Sequence, residues 1–331
     1  MIEKAVAPQA ASSDAFNLGN FYHRKIVRRL AVVTKKIVAT GNVKVTDFHR
    51  ANDIIGSRSM KEDGIGPGQI IRRKTDGSFD YQHDELTVEE PLEIRLGDRT
   101  VATTMRTPGH DEELATGFLL SEAIFRNRNE IEKFSRPATV RNRENIIIVQ
   151  LGPSVKARTS SAQRFGTISS SCGLCGKESI DAIRQNFPPI ESKSFRIDIK
   201  TLISLPAKLR EQQSDFARTG GIHAAGIFAA DGKALVVRED IGRHNAVDKA
   251  IGRALLDGKI PLDRHLLLVS GRASFEIVQK ALAAGIPIVA SVSAPSSLAM
   301  NFARENNQTL IGFLRPPSFN IYSHIERVVL D

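Results

Sequence analysis

The chain has 331 residues, of which 41% are hydrophobic and 25% charged, a composition of ordinary folded proteins that excludes disorder over its whole length. No apolar run approaches the roughly 20 residues that a membrane-spanning helix needs, and the N-terminus lacks the apolar stretch of a secretory signal, so the sequence is read as cytoplasmic, without membrane insertion. The net charge of +9 sits mostly at the front, where residues 1–82 hold 14 Lys and Arg against 8 Asp and Glu, and this uneven distribution argues against a nucleic-acid partner.

Residues 1–82 mix small, polar and basic residues and end near Gly64-Ile65-Gly66-Pro67-Gly68, which reads as a basic extension and linker. Within it, residues 24–43 carry enough Ile, Val and Leu for one short helix or strand. The glycine-rich piece lacks the following Lys-Ser/Thr and the preceding apolar strand of a phosphate loop. After Thr107-Pro108-Gly109-His110, the apolar residues Leu114, Phe118 and Leu119 recur at helical spacing behind Asp111, Glu112 and Glu113, predicting a helix that ends near Phe125. Residues 146–151 predict a strand. A Ser-, Arg- and Gly-rich connection then leads to two cysteines, and a helix is expected after Gly176 with Ile180 and Ile183 on its buried side. Residues 201–213 read as helix, and strands at 226–230 and 234–238 flank Asp231-Gly232, a preferred hairpin turn. The remainder alternates cleanly: strand 265–269, helix 274–284 closed by Gly285, strand 286–292, helix 296–306 and strand 309–313. This alternation predicts an α/β fold, a mixed sheet with covering helices in residues 161–331, preceded by a smaller α+β domain at 83–160.

Two cysteines cannot build a disulfide scaffold, and their spacing in Ser171-Cys172-Gly173-Leu174-Cys175-Gly176 makes them a local chemical device. A thiolate is the reactive form of cysteine, and a Cys-x-x-Cys at a helix N-terminus gains from backbone N–H groups that lower its pKa. Dithiol exchange, half of a zinc site and carriage of sulfur as a persulfide all fit this pattern. A structural zinc wants a second ligand pair, which neither cysteine nor the eight scattered histidines supply, so no tightly held metal is expected. In Thr219-Gly220-Gly221-Ile222-His223 the glycines allow the imidazole to be placed against another site or simply hydrogen-bonded. In Glu239-Asp240-Ile241-Gly242-Arg243-His244-Asn245 the polar groups serve equally as a salt-bridged cap or a ligand site. If the late strands are parallel, their carboxyl ends place Ser270, Arg272 and Arg315 along one edge, which suits a phosphate-bearing ligand.

Together, SSCGLCG, TGGIHAAG, EDIGRHNAVDKAIG, SGRASFEIVQKALAAGIPIVASVSAPSSLA, LIGFLR and the earlier TPGHDEELATGFLLSEAI resemble the formate dehydrogenase accessory sulfurtransferase family, FdhD, over residues 85–326. The resemblance implies a sulfurtransferase that accepts persulfide sulfur from a cysteine desulfurase and passes it to the molybdenum or tungsten of a bis-molybdopterin guanine dinucleotide cofactor serving formate dehydrogenase. It implies Cys172 as the persulfide carrier and Cys175 as its assistant. The family's cofactor-binding segment falls on Phe313, Leu314, Arg315, Pro316, Pro317 and Ser318. Many members have Gly-Arg after the proline where this chain has Pro317 and Ser318, so Arg315 or Arg272 would compensate. His223, Arg243 and His244 are the further candidates for stabilising an anionic persulfide or the cofactor phosphates. The resemblance also implies a homodimer and a C-terminal domain similar to the cytidine deaminase fold. Deamination itself is excluded, because His223-Ala224-Ala225 has alanine where the proton-shuttling glutamate would stand. A non-catalytic cofactor carrier or chaperone and a dithiol oxidoreductase are the alternatives.

Overall fold

A computed structural model describes residues 64–153, 155, 187–191 and 194–330. The expected segment at 24–43 and the helix after Gly176 lie outside them. The glycine-rich stretch read as linker opens a hairpin instead: Ile65–Arg73 (β1) pairs antiparallel with Phe79–Thr87 (β2). Its turn is closed by Lys74 N–H donating to Ser78 O at 2.8 Å, with Gly77 at φ 87 and the Asp76 carboxylate accepting from Ser78 N–H. A low-hydrophobicity sequence hid these strands, because their pairing rests on turn chemistry and polar alternation and not on an apolar face.

Glu90–Leu96 (β3), Arg99–Arg106 (β4), Ile131–Ser135 (β5) and Ile146–Leu151 (β6) form a four-stranded sheet in the order β4-β3-β6-β5. Between β4 and β5 runs the helix Asp111–Ser121 (α1), which stops short of the expected Phe125 where Ala123 takes a positive φ. Ile197–Asp198 (β7) leads into Ile199–Glu211 (α2), whose N-cap Asp198 accepts from the N–H groups of Lys200 and Thr201, and then into Ser214–Thr219 (α3). Next come His223–Ala229 (β8) and Ala234–Asp240 (β9), joined at Asp231-Gly232 as predicted, then Arg243–Leu256 (α4) and His265–Val269 (β10). The chain ends with Phe275–Ala283 (α5), Ile288–Ser291 (β11), Ser297–Glu305 (α6), Thr309–Arg315 (β12), Ser318–Ser323 (β13) and Val328–Val329 (β14).

The second sheet has six strands in the order β13-β12-β11-β10-β8-β9, with β10, β11 and β12 parallel and the flanking strands antiparallel. Alternate residues of its strands point to opposite faces. Leu266, Leu268, Ile288, Ala290 and Ile311 pack against Leu202, Leu205 and Leu209 of α2. Leu267, Val269, Val289 and Leu310 face α4, α5 and α6, in a core that also takes in α1 and the four-stranded sheet.

The helices α1 and α4 approach backbone to backbone. A Cβ on Gly117 would stand 2.0 Å from Asp248 O, and one on Gly252 would stand 1.9 Å from Glu113 O, so only glycine fits at either crossing position. Buried charges line this seam in pairs. Glu113 takes two hydrogen bonds from Arg238 at 2.6 and 2.8 Å, Lys249 meets Asp240 at 2.7 Å, and Lys280 reaches both oxygens of Asp248 at 2.8 and 2.9 Å. Burial works against the Glu113 charge, but the hydrogen bonds from Arg238 and His110 hold its carboxyl down to about 2.

Candidate functional site

The parallel register places Val269 beside Ser291 and Ala290 beside Ile311, so β10, β11 and β12 end along one edge of the sheet. Because β8 runs antiparallel to β10, with Ala225 opposite Val269, it is the start of β8, at His223, that reaches this edge. For the same reason β9 ends there: His223 pairs with Asp240, and α4 begins three residues later at Arg243. Residues distant in the chain thus meet where loops and helix N-termini favour anions.

Ser270 is half-buried, and its Oγ accepts from Ala224 N–H at 2.9 Å, which ties the β10 loop to β8. Arg272 is exposed two residues on. At the far side of the edge, Arg315 donates from Nε to Val292 O at 2.9 Å, leaving the rest of its exposed guanidinium over the loop after β11. Phe313 is held at φ 51, with its N–H donating to Ser293 O at 3.0 Å, and 38% of its surface is exposed. A bulky residue in the left-handed region costs about 1 kcal/mol or more, and such strain gathers at ligand-contacting positions. Pro316, Pro317 and Ser318 form the exposed turn into β13.

Two expected contacts are not brought to this surface. Leu314 is fully buried in the apolar cluster beneath α2 that also holds Ile311, because the register shift between Gly312 and Arg315, where Phe313 takes a positive φ, breaks the alternation of β12 and turns Leu314 to that face. His244 is 4% exposed, and its Nε2 lies 3.1 Å from Ser274 Oγ and 3.5 Å from Glu276, so the ring braces α4 against the start of α5. The other polar residues of that motif form the cap that was one of its two readings: Asp240 Oδ1 accepts from Gly242 N–H and Asn245 Nδ2, and Oδ2 accepts from Thr107 N–H.

His223 and Arg243 do converge. Each stands against Gly271, where a Cβ would lie 3.3 Å from His223 Nδ1 and 3.5 Å from Arg243 Cβ. Burial pushes the His223 imidazole below its ordinary range and the Arg243 charge adds to this, with Asp240 opposing. Both effects favour the neutral ring. Cys172 and Cys175 lie outside the described residues. Among the described residues, no group of three or more His, Cys, Asp and Glu is placed to hold a metal.

Beside His223 and Ser270 opens a cleft of about 510 Å³ walled by Pro206, Leu209, Phe216, Ile222 and Val292. Arg210 lies over the Phe216 ring at 3.9 Å. Sequence reasoning missed this wall, since the apolar residues of α2 and α3 carry no signal beyond ordinary helix burial. The feature that marks them is spatial: α3 turns back at Gly220, φ 65, and delivers the chain to His223.

A model of the FdhD/NarQ family matches residues 87–329. A Streptomyces coelicolor protein named Sulfur carrier protein FdhD is 48% identical over 268 residues, covering 79% of this chain and 95% of its own. The Mycobacterium tuberculosis protein of the same name is 48% identical over 254 residues, covering 74% and 92%. One from Thermoplasma volcanium is 45% identical over 276 residues, covering 81% and 97%. A crystal structure of a proposed formate dehydrogenase accessory protein from Desulfotalea psychrophila has the same fold, at 22% identity and a TM-score of 0.63, covering 81% of this chain and 100% of that one.

Proposed function

The chain belongs to the FdhD/NarQ family, and from that premise we propose that it is a sulfur carrier whose Cys172 accepts sulfur as a persulfide and whose strand-end edge holds the acceptor. In this reading the Cys172 thiolate attacks the sulfane sulfur of a cysteine desulfurase persulfide. The donor S–S bond breaks as the new one forms, and the donor leaves as a thiolate. The acceptor is the bis-molybdopterin guanine dinucleotide of a formate dehydrogenase, with molybdenum or tungsten, bound as substrate. Cys175 assists the exchange. What the transfer asks of the protein is a low thiol pKa and access.

The observation that carries the acceptor half is the parallel arrangement of β10, β11 and β12, which sets Ser270, Arg272 and Arg315 on one edge, with the strained Phe313 two residues before Arg315. The relatives named sulfur carriers and the Cys-x-x-Cys motif support the donor half. The test is intact mass spectrometry after incubation with a cysteine desulfurase and cysteine. Wild type is expected to gain one sulfur and Cys172→Ala none. A Cys172→Ala protein that still gained sulfur and still restored formate dehydrogenase activity would overturn the mechanism. Failure of both proteins to gain sulfur would favour a non-catalytic cofactor carrier.

A further inference from the structure

We propose that the outer side of β9 is a docking site for an extended peptide, which joins the six-stranded sheet as a further antiparallel strand and sets a basic residue opposite Glu239. Nothing in the sulfur-carrier reading uses this side of the sheet.

The hydrogen bonds of β8 show which backbone groups of β9 are open. β9 is the last strand of its sheet, with β8 as its one neighbour. Ala224 of β8 turns its own backbone toward β10, its N–H donating to Ser270 Oγ at 2.9 Å and its C=O accepting from Ser270 N–H at 3.0 Å. Ala224 stands opposite Glu239, so this antiparallel pair is one that exchanges no hydrogen bonds, and Glu239 turns its N–H and C=O away from β8. Val237, two residues back, faces the same way, and its C=O accepts from the Arg238 guanidinium at 2.9 Å. The Val237 N–H and both backbone groups of Glu239 have no partner among the described residues.

Val237, Arg238 and Glu239 line a cavity of about 310 Å³, together with Asp215 and the loop residues Pro108, Gly109 and His110. That loop cannot supply the missing strand, because Gly109 at φ 97 and His110 at φ 57 leave the extended region. An extended peptide suits the site: its main chain takes the open N–H and C=O groups, and its alternate side chains give specificity.

Charge selects the residue opposite Glu239, whose side chain would share the Glu239 face. The Glu239 carboxylate accepts from the N–H groups of Asp215 and Phe216 at 3.0 and 2.9 Å. Burial lifts its carboxyl above the ordinary range and the Asp215 charge adds to this, with the two backbone hydrogen bonds and Arg210 opposing. Neither Glu239 nor Asp215 has an ion-pair partner among the described residues, and Arg218 of the same cavity is taken by Glu85. On the other face of β9, Arg238 and Asp240 are already paired with Glu113 and Lys249. A lysine or arginine opposite Glu239 therefore meets two acids that lack a cation.

The experiment is titration of the full chain with the capped peptide acetyl-Thr-Val-Lys-Val-Thr-amide, followed through backbone amide resonances. The Val237 and Glu239 signals are expected to shift. The same peptide with Glu in place of Lys should bind about tenfold more weakly. A peptide methylated on the lysine N–H should not bind, because the donor to the Glu239 C=O is gone. Val237→Pro removes an outward N–H and no bond to β8, so it should abolish binding. If that variant does not fold, the methylated peptide makes the same test on the wild-type chain. In Asp215→Asn with Glu239→Gln, the Lys and Glu peptides should bind alike. Unmoved Val237 and Glu239 signals, or equal binding of the methylated peptide, would overturn strand pairing. Free lysine binding as tightly as the peptide would overturn it in favour of a small amino-acid site. Equal affinity of the wild-type chain for the Lys and Glu peptides would overturn the choice of a basic residue.

Discussion

The helix α4 has two sides with opposite habits. Along its length, where it crosses α1, every buried charge has a partner at 2.6–2.9 Å and glycine brings the two backbones into contact. At its first residue, on the strand-end edge, a guanidinium nitrogen is buried without a hydrogen-bond partner, and farther along the same edge β12 holds Phe313 in a left-handed conformation. The seam spends its polar groups on itself, as a region selected for stability does. At the edge Ser270 and Arg315 each make one backbone hydrogen bond, and Arg243 Nε is left unpaired.

The sharpest way to break this contrast is at the seam. Lys280→Met strands Asp248, which burial and the nearby Glu122 already push up to about 6, and should cost about 3–5 kcal/mol in urea unfolding. The double variant Lys280→Met with Asp248→Leu should recover most of that loss, because the penalty comes from the orphaned charge. A small loss for the single variant would mean the seam is no better satisfied than the edge.

A second expected effect follows from acid. Glu113 is held at about 2 in the folded chain against an ordinary 4.5, so its stabilisation is full above pH 4.5 and disappears as the pH falls toward 2. Linkage puts this at about 3 kcal/mol. Asp248, raised from 3.8 to about 6, contributes the opposite slope higher up, where stability falls as pH rises. Stability measured from pH 5 to 2 should drop in wild type and flatten in Glu113→Gln. The smallest effect belongs to the edge. Phe313→Gly relieves a φ of 51 and should leave stability within about 1 kcal/mol of wild type while weakening cofactor binding, as a calorimetric comparison would show.

Much of this arrangement was legible in the residues, and what was not has physical causes. The strand at 265–269 and the hairpin at Asp231-Gly232 were readable because buried parallel strands are continuously apolar and the turn requires its dipeptide. The edge carrying Ser270, Arg272 and Arg315 followed from the alternation of strand and helix. Leu314 and His244 were misplaced because a motif gives order along the chain and says nothing of which side of a strand or helix a residue faces. The β1–β2 hairpin was missed because its few apolar residues do not pack on a core: Ile71 stands opposite Tyr81, with Phe79 on the same face, and all three are exposed. The close approach of Gly117 and Gly252 could not be read at all, since their helices lie more than a hundred residues apart in the chain.

The antiparallel entry of β8 also fixes when the edge comes into being. His223, Arg243, Ser270, Ser293 and Arg315 are drawn from five separate junctions spread over more than ninety residues, and no local segment holds more than a fragment of the set. During synthesis His223 and Arg243 emerge first, Gly271 between them follows, and Arg315 comes only when nearly the whole chain is made. Contacts of such long sequence separation form late, after the entropy of closing the intervening loops has been met. A partly made chain therefore offers no complete edge, and only the closed sheet brings its two ends together.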